Sequence, residues 1–87
     1  MKSFKFEVLI SLKKGILDPQ GSATEKVLKR LNYPVNSVRF GKNIELTVNE
    51  ETEEKALKIV NEIADKLLSN PVLEKYEIKL LSTEVLA

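Results

Sequence analysis

The sequence predicts an α+β fold, a four-stranded antiparallel sheet with two helices on one face, and three observations point to it. Apolar and polar residues alternate with period two near the start, in the middle and near the end of the chain. Two intervening segments repeat their apolar residues at helical spacing instead. Pro, Gly, Asn or Asp punctuates the junctions between these segments. The element order is therefore β-α-β-β-α-β within one domain, residues 1–87, with no Pro-, Gly- or Ser-rich linker to divide it.

The first strand runs over residues 4–12. Phe4, Phe6, Val8, Ile10 and Leu12 lie on one face, and Lys5, Glu7, Leu9, Ser11 and Lys13 on the other. After a loop at 14–17, Leu17-Asp18-Pro19-Gln20-Gly21 starts a helix. Asp18 is the N-cap, its carboxylate accepting from the backbone N–H of Gln20 or Gly21, and Pro19 occupies the first helical position, where a missing N–H costs nothing. Gly21 does nothing that capping requires and costs up to ~1 kcal/mol relative to alanine. Two readings remain for it: plain turn geometry, or backbone of a neighbouring element or subunit too close for a Cβ. Ala23, Val27, Leu28 and Leu31 form the apolar face of this helix, which ends near Asn32 because Pro34 disfavours a helical Tyr33.

A second strand is predicted over 35–40, with Val38 and Phe40 inward and Ser37 and Arg39 outward. Gly41-Lys42-Asn43 then turns into a third strand at 44–49, making a hairpin. Gly41-Lys42 has an alternative reading as an exposed cationic tip facing a phosphate or an acidic partner surface. Thr52 caps the second helix, whose first turn carries Glu53 and Glu54. Its apolar face comprises Ala56, Leu57, Ile59, Val60, Ile63, Ala64, Leu67 and Leu68, and Ser69-Asn70-Pro71 ends it. Tyr76, Ile78 and Leu80 alternate with Glu77, Lys79 and Leu81 in the last strand, followed by a short tail.

This order packs most simply as a ferredoxin-like sheet with the first and third strands central and the second and last at the edges. Its open face carries mainly charged residues, with Leu9 and Leu81 expected as a small apolar patch on neighbouring strands. The last strand has neither proline nor glycine to spoil pairing, so that edge or the Leu9/Leu81 patch is where a second copy should dock.

Composition narrows the function. The chain contains no cysteine and no histidine, which removes thiol nucleophiles, disulfides, the usual zinc sites and the commonest general base. No catalytic residue and no metal ligand is assigned. With 14 Lys+Arg against 13 Asp+Glu, the formal charge of +1 lacks the footprint of a nucleic-acid or membrane-surface binder. No apolar run approaches the ~20 residues of a membrane span, and Met1-Lys2-Ser3 leads into a strand pattern rather than a signal peptide, so a cytoplasmic location is expected. A domain of 87 residues buries only ~60–65% of its unfolded surface, which makes association a reasonable expectation.

Leu12-Lys13 with Gly15-Ile16-Leu17-Asp18-Pro19-Gln20-Gly21, Val38-Arg39-Phe40-Gly41-Lys42 with Ile44-Glu45-Leu46, and the run from Leu67-Leu68-Ser69-Asn70-Pro71 to Val72-Leu73-Glu74-Lys75-Tyr76 together resemble the PurS family. The resemblance spans residues 4–80. It implies the small, non-catalytic subunit of phosphoribosylformylglycinamidine synthase in de novo purine biosynthesis. In that assembly PurQ releases ammonia from glutamine and PurL uses ATP and Mg2+ to form the amidine, while PurS dimers bridge the two and assist ammonia transfer. No cofactor is expected on this chain itself. The expected partners are a second copy, as a homodimer or a further tetramer, together with PurL and PurQ. Asp18, Pro19, Gln20, Gly21, Gly41, Lys42, Asn70 and Pro71, with Leu9 and Leu81, are the candidate partner or dimer contacts.

Two rival classes stand beside this reading. A ferredoxin-like regulatory domain would bind a small molecule such as an amino acid, with the 18–21 loop as its site, and fold alone does not separate the two. An RNA-binding module would place aromatics on the open face, whereas Phe4, Phe6, Phe40 and Tyr76 all fall on the predicted core face.

Overall fold

The alternation that starts at Phe4 builds the centre of the molecule. In the computed structural model, which describes residues 1–86, β1 (Lys2–Leu12) is flanked by β2 (Gly41–Glu50) and β3 (Glu74–Val85) in an antiparallel sheet of order β2-β1-β3. Phe4, Phe6, Val8 and Ile10 are buried from one end of β1 to the other. At ~1.5–3 kcal/mol for each large side chain, this row supplies much of the favourable side of folding. Ile44, Leu46 and Val48 of β2 and Tyr76 and Ile78 of β3 pack beside it.

The helix α2 (Glu53–Ile63) covers that face. Thr52 Oγ1 accepts the Lys55 N–H at 3.2 Å, and Ala56, Val60 and Ala64 are buried against β1. Residues four apart drift about 40° around an α-helix, so a stripe at that spacing soon turns away from a sheet. Here the helix widens into a π turn (Ala64–Leu68), with the Ser69 N–H bonded to the Ala64 carbonyl at 3.0 Å. The wider turn takes back the drift and lays Leu68 on the core. Leu57 and Leu67, assigned to the core face from sequence, are exposed, Leu67 by 80%.

The α+β class and the ferredoxin-like strand order hold, with three strands in place of four. Residues 35–40 form no strand and there is no 41–43 hairpin turn, because the backbone of this segment is engaged elsewhere. The Val35 N–H bonds back to the Tyr33 carbonyl at 2.9 Å, and the Phe40 N–H is taken by the Asp18 carboxylate. Gly41, Lys42 and Asn43 instead open β2, opposite Ser11, Ile10 and Leu9. β2 is therefore an edge strand rather than a central one, and Phe40 is exposed rather than inward. Beyond Leu81 the chain is strand to Val85, and the Leu86 N–H reaches the Met1 carbonyl at 3.1 Å; Ala87 lies outside the described residues.

The largest departure concerns α1 (Pro19–Arg30). Its ends are built as the sequence suggests, with Asp18 as N-cap and Pro19 at the first turn. At the far end Asn32 adopts φ 68°, its N–H bonded to the Lys29 carbonyl and the Tyr33 N–H to the Leu28 carbonyl, a Schellman stop. Yet this helix does not lie on the sheet. Only Gly21 among its residues is buried, and Val27, Leu31 and Tyr33 are 46%, 60% and 57% exposed. The molecule is elongated, 55 × 26 × 14 Å, with a radius of gyration of 17.0 Å against ~12 Å for a compact chain of this length.

Candidate functional site: the Asp18 junction

Three chain segments meet where β1 ends and β2 and β3 begin, and Asp18 ties two of them together. Its Oδ1 accepts the Gly21 N–H at 2.9 Å and its Oδ2 accepts the Phe40 N–H at 2.7 Å, so one carboxylate holds both the start of α1 and the approach to β2. Asp18 is the buried polar side chain of the described residues, 6% exposed. The Gly21 and Phe40 amides, then the Arg39 charge, hold its carboxyl below the usual range against the opposing cost of burial. A carboxylate so committed is a poor base; it is an anchor.

Gly21 finds its reason here. A Cβ at this position would collide with the Val38 carbonyl oxygen and come within 2.7 Å of Asp18 Oδ2. The close approach is therefore from a neighbouring element of the same chain. Gly41 is similar: a Cβ there would stand 2.7 Å from the Ile10 carbonyl.

The third segment joins through Lys13 and Arg39. Arg39 Nη1 donates to the Ile16 carbonyl at 2.8 Å and Nη2 to the Lys13 carbonyl at 3.4 Å. Lys13 in turn donates from its N–H to the Leu73 carbonyl at 2.9 Å and from Nζ to the Pro71 carbonyl at 2.6 Å. The 70–74 turn is self-capped, since Asn70 Oδ1 accepts the Val72 N–H at 3.0 Å while Glu74 Oε1 accepts the Asn70 N–H at 2.7 Å. Lys42 Nζ lies 3.9 Å from Glu74 Oε2 across the mouth of an open cleft of about 430 Å³ lined also by Asp18, Gln20 and Gly41.

The structure thus brings together eight of the residues singled out by sequence: Asp18, Pro19, Gln20 and Gly21, then Gly41 and Lys42, with Asn70 and Pro71 joined through Glu74 and Lys13. The remaining pair is separated. Leu9 stands opposite Glu77, four residues and therefore ~13 Å along the strand from Leu81. Leu81 itself sits in a bulge, between Leu80 opposite Phe6 and Ser82 opposite Lys5. No Leu9/Leu81 patch exists. Arg39, Lys13 and Glu74 lie within the family-like segments but not among the ten residues singled out there as contacts. Of the three, Glu74 also leaves a local sign, following Asn70 at capping distance.

Among the described residues, no cluster of acidic side chains is placed to hold a metal ion, and no helix is long and apolar enough to cross a membrane. What the junction offers chemically is a braced surface.

A family model described as PurS, phosphoribosylformylglycinamidine (FGAM) synthase, matches residues 5–82. The chain is 40% identical over 80 residues to the synthase subunit PurS of Thermotoga maritima, covering 91% of this chain and 98% of that protein. It is 43% identical over 74 residues to the corresponding subunit of Bacillus subtilis, covering 84% and 87%. Among solved structures, a chain in the structure of PurLQS from Thermotoga maritima superposes with a TM-score of 0.87 at 40% identity, covering 93% of this chain and 100% of that one.

Proposed function

The chain belongs to the PurS family, and from that membership we propose that it is a non-catalytic subunit of FGAM synthase in de novo purine biosynthesis. It works in the cytoplasm as a homodimer that bridges the glutaminase subunit PurQ and the ATP- and Mg2+-dependent subunit PurL and assists the transfer of ammonia. Cofactor chemistry belongs to the other subunits.

The observation that carries the docking role is surface left uncovered. A folded monomer of 9.8 kDa exposes about 5,200 Å². This chain exposes 6427 Å², an excess of roughly 1,250 Å². A stable interface takes ~800 Å² from each partner, so the excess is enough for a second copy and leaves surface for other subunits. Much of it is apolar and lies along Val27 of α1 and its C-cap Leu31, with Tyr33 just beyond, and the outer edges of β2 and β3 are open as well. The likeness to a chain of PurLQS supports the same reading.

Reconstitution tests it. Purified large and glutaminase subunits should need this chain when glutamine is the nitrogen source and not when free ammonia is supplied. Equal rates with glutamine, with and without the chain, would overturn the proposal.

A further inference from the structure

On the sheet face opposite α2, beside the Asp18 junction, a second open cleft of about 490 Å³ is lined by Lys14, Arg39 and Lys75, with Ser11, Ser37 and Gly15. No carboxylate lines it. That is unusual in a chain whose charges nearly cancel, and the three cations have distinct supports. Arg39 is fixed by its two bonds to the Ile16 and Lys13 carbonyls, which leave the rest of its guanidinium donors free. Lys75 stands directly across from Ser11 in the β1–β3 ladder. Lys14 rides on a tight turn closed by the Ile16 N–H on the Lys13 carbonyl, with Gly15 at φ 87°. Lys14 and Lys75 make no ion pair among the described residues, and the carboxylate whose charge Arg39 feels, Asp18, already has both oxygens bonded.

Three like charges around one cavity repel, and an anion relieves them. The cleft is continuous, through Ser11 and Arg39, with a shallow hollow bordered by Leu9, Phe40 and Asn43. A cationic end beside a mainly apolar floor suits a molecule with phosphate at one end and a ring at the other, and the volume is of small-ligand size. We propose that this cleft is a binding site for a phosphorylated small molecule of the nucleotide class, its phosphates on Lys14, Arg39 and Lys75 and its ring toward Leu9 and Phe40. Such a site gives Leu9 a place on the open face without Leu81. It is independent of the subunit role proposed above.

The test uses the full-length chain labelled with nitrogen-15 and titrated with pyrophosphate, ADP and adenosine, following amide shifts. Pyrophosphate and ADP should perturb residues 11–15, 37–39 and 75 saturably, ADP more tightly, with adenosine silent. The double variant Lys14→Ala/Lys75→Ala, both exposed positions, should keep its thermal unfolding midpoint and lose affinity about tenfold or more. Absence of saturable shifts, shifts scattered over unrelated lysines, or undiminished affinity in the double variant would overturn the site. Pyrophosphate and ADP binding equally would overturn the ring's place in it.

Discussion

The two helices begin alike and end differently. Each is capped by a side-chain oxygen, of Asp18 in one and Thr52 in the other, and each carries aliphatics at helical spacing. α2 buries that stripe in its own sheet, whereas α1 leaves Val27 and Leu31 in solvent. An amphipathic pattern states that a face needs covering; it does not state by whom. What decides between the two is the connection. Glu51 and Thr52 fold α2 straight back over β2, while α1 is fastened at its first turn, through Asp18 and Gly21, to a segment lying beyond the sheet edge.

The core under α2 is the place to break the molecule outright. Phe6→Ala removes a side chain only 1% exposed at the centre of β1 and should cost about 3–5 kcal/mol, a large part of the stability of a domain this size. Urea unfolding followed by far-ultraviolet circular dichroism measures it. A loss below ~1 kcal/mol would mean that the sheet face is not the core.

Gly21→Ala addresses the anchor of α1, and here two physical effects oppose each other. Helix propensity favours alanine by up to ~1 kcal/mol. The clash with the Val38 carbonyl and Asp18 Oδ2 opposes it, and since the first of these is backbone, the clash should win by about 1–3 kcal/mol net. A rise in the unfolding midpoint would show that the 35–40 segment does not sit over α1.

These two sites also show what sequence carries and what it leaves out. The faces of β1 were legible because period two was sustained over five apolar residues, and both caps were legible because capping is local chemistry. The supposed strand at 35–40 rested on Val38 and Phe40 alone, too short an alternation to outweigh the Asp18 carboxylate competing for its amide. The Leu81 bulge and the π turn after Ile63 each change register by long-range fit, for which the residues concerned give no local sign. The 18–21 and 41–42 pieces of the site are legible locally; Arg39 falls in the same family-like segment as Gly41-Lys42, but its bracing role depends on carbonyls 23 and 26 residues away.

Acid should loosen the anchor before the core. The Asp18 carboxyl is held below its usual range by the Gly21 and Phe40 amides and by Arg39. A group with a depressed folded pKa contributes stability above its unfolded value, ~3.9 for Asp, and that contribution is lost as pH falls through and below it. Glu25 and Glu62 are also held low, by Lys29 and Lys66, Glu62 on exposed helix surface where water screens it and Glu25 half-buried beside the Val38 amide. Asp18→Asn should therefore lower the unfolding midpoint at neutral pH and flatten its fall in acid. Parallel pH profiles for the two proteins would remove Asp18 from the anchor.

The smallest effect on the folded monomer should come from the exposed stripe, and it separates the two helices most cleanly. Val27→Ser with Leu31→Ser removes apolar surface that touches little within the chain, so monomer stability should change by no more than about 0.5 kcal/mol, whereas Val60→Ser on α2 opens a buried site and should cost several times that. Sedimentation should show the opposite ranking, the α1 variant shifting the proposed dimer to monomer. If the α1 variant instead unfolds as readily as the α2 one while remaining dimeric, its stripe is covered by its own chain in solution and the second copy docks elsewhere, with the open edges of β2 and β3 the next surfaces to change.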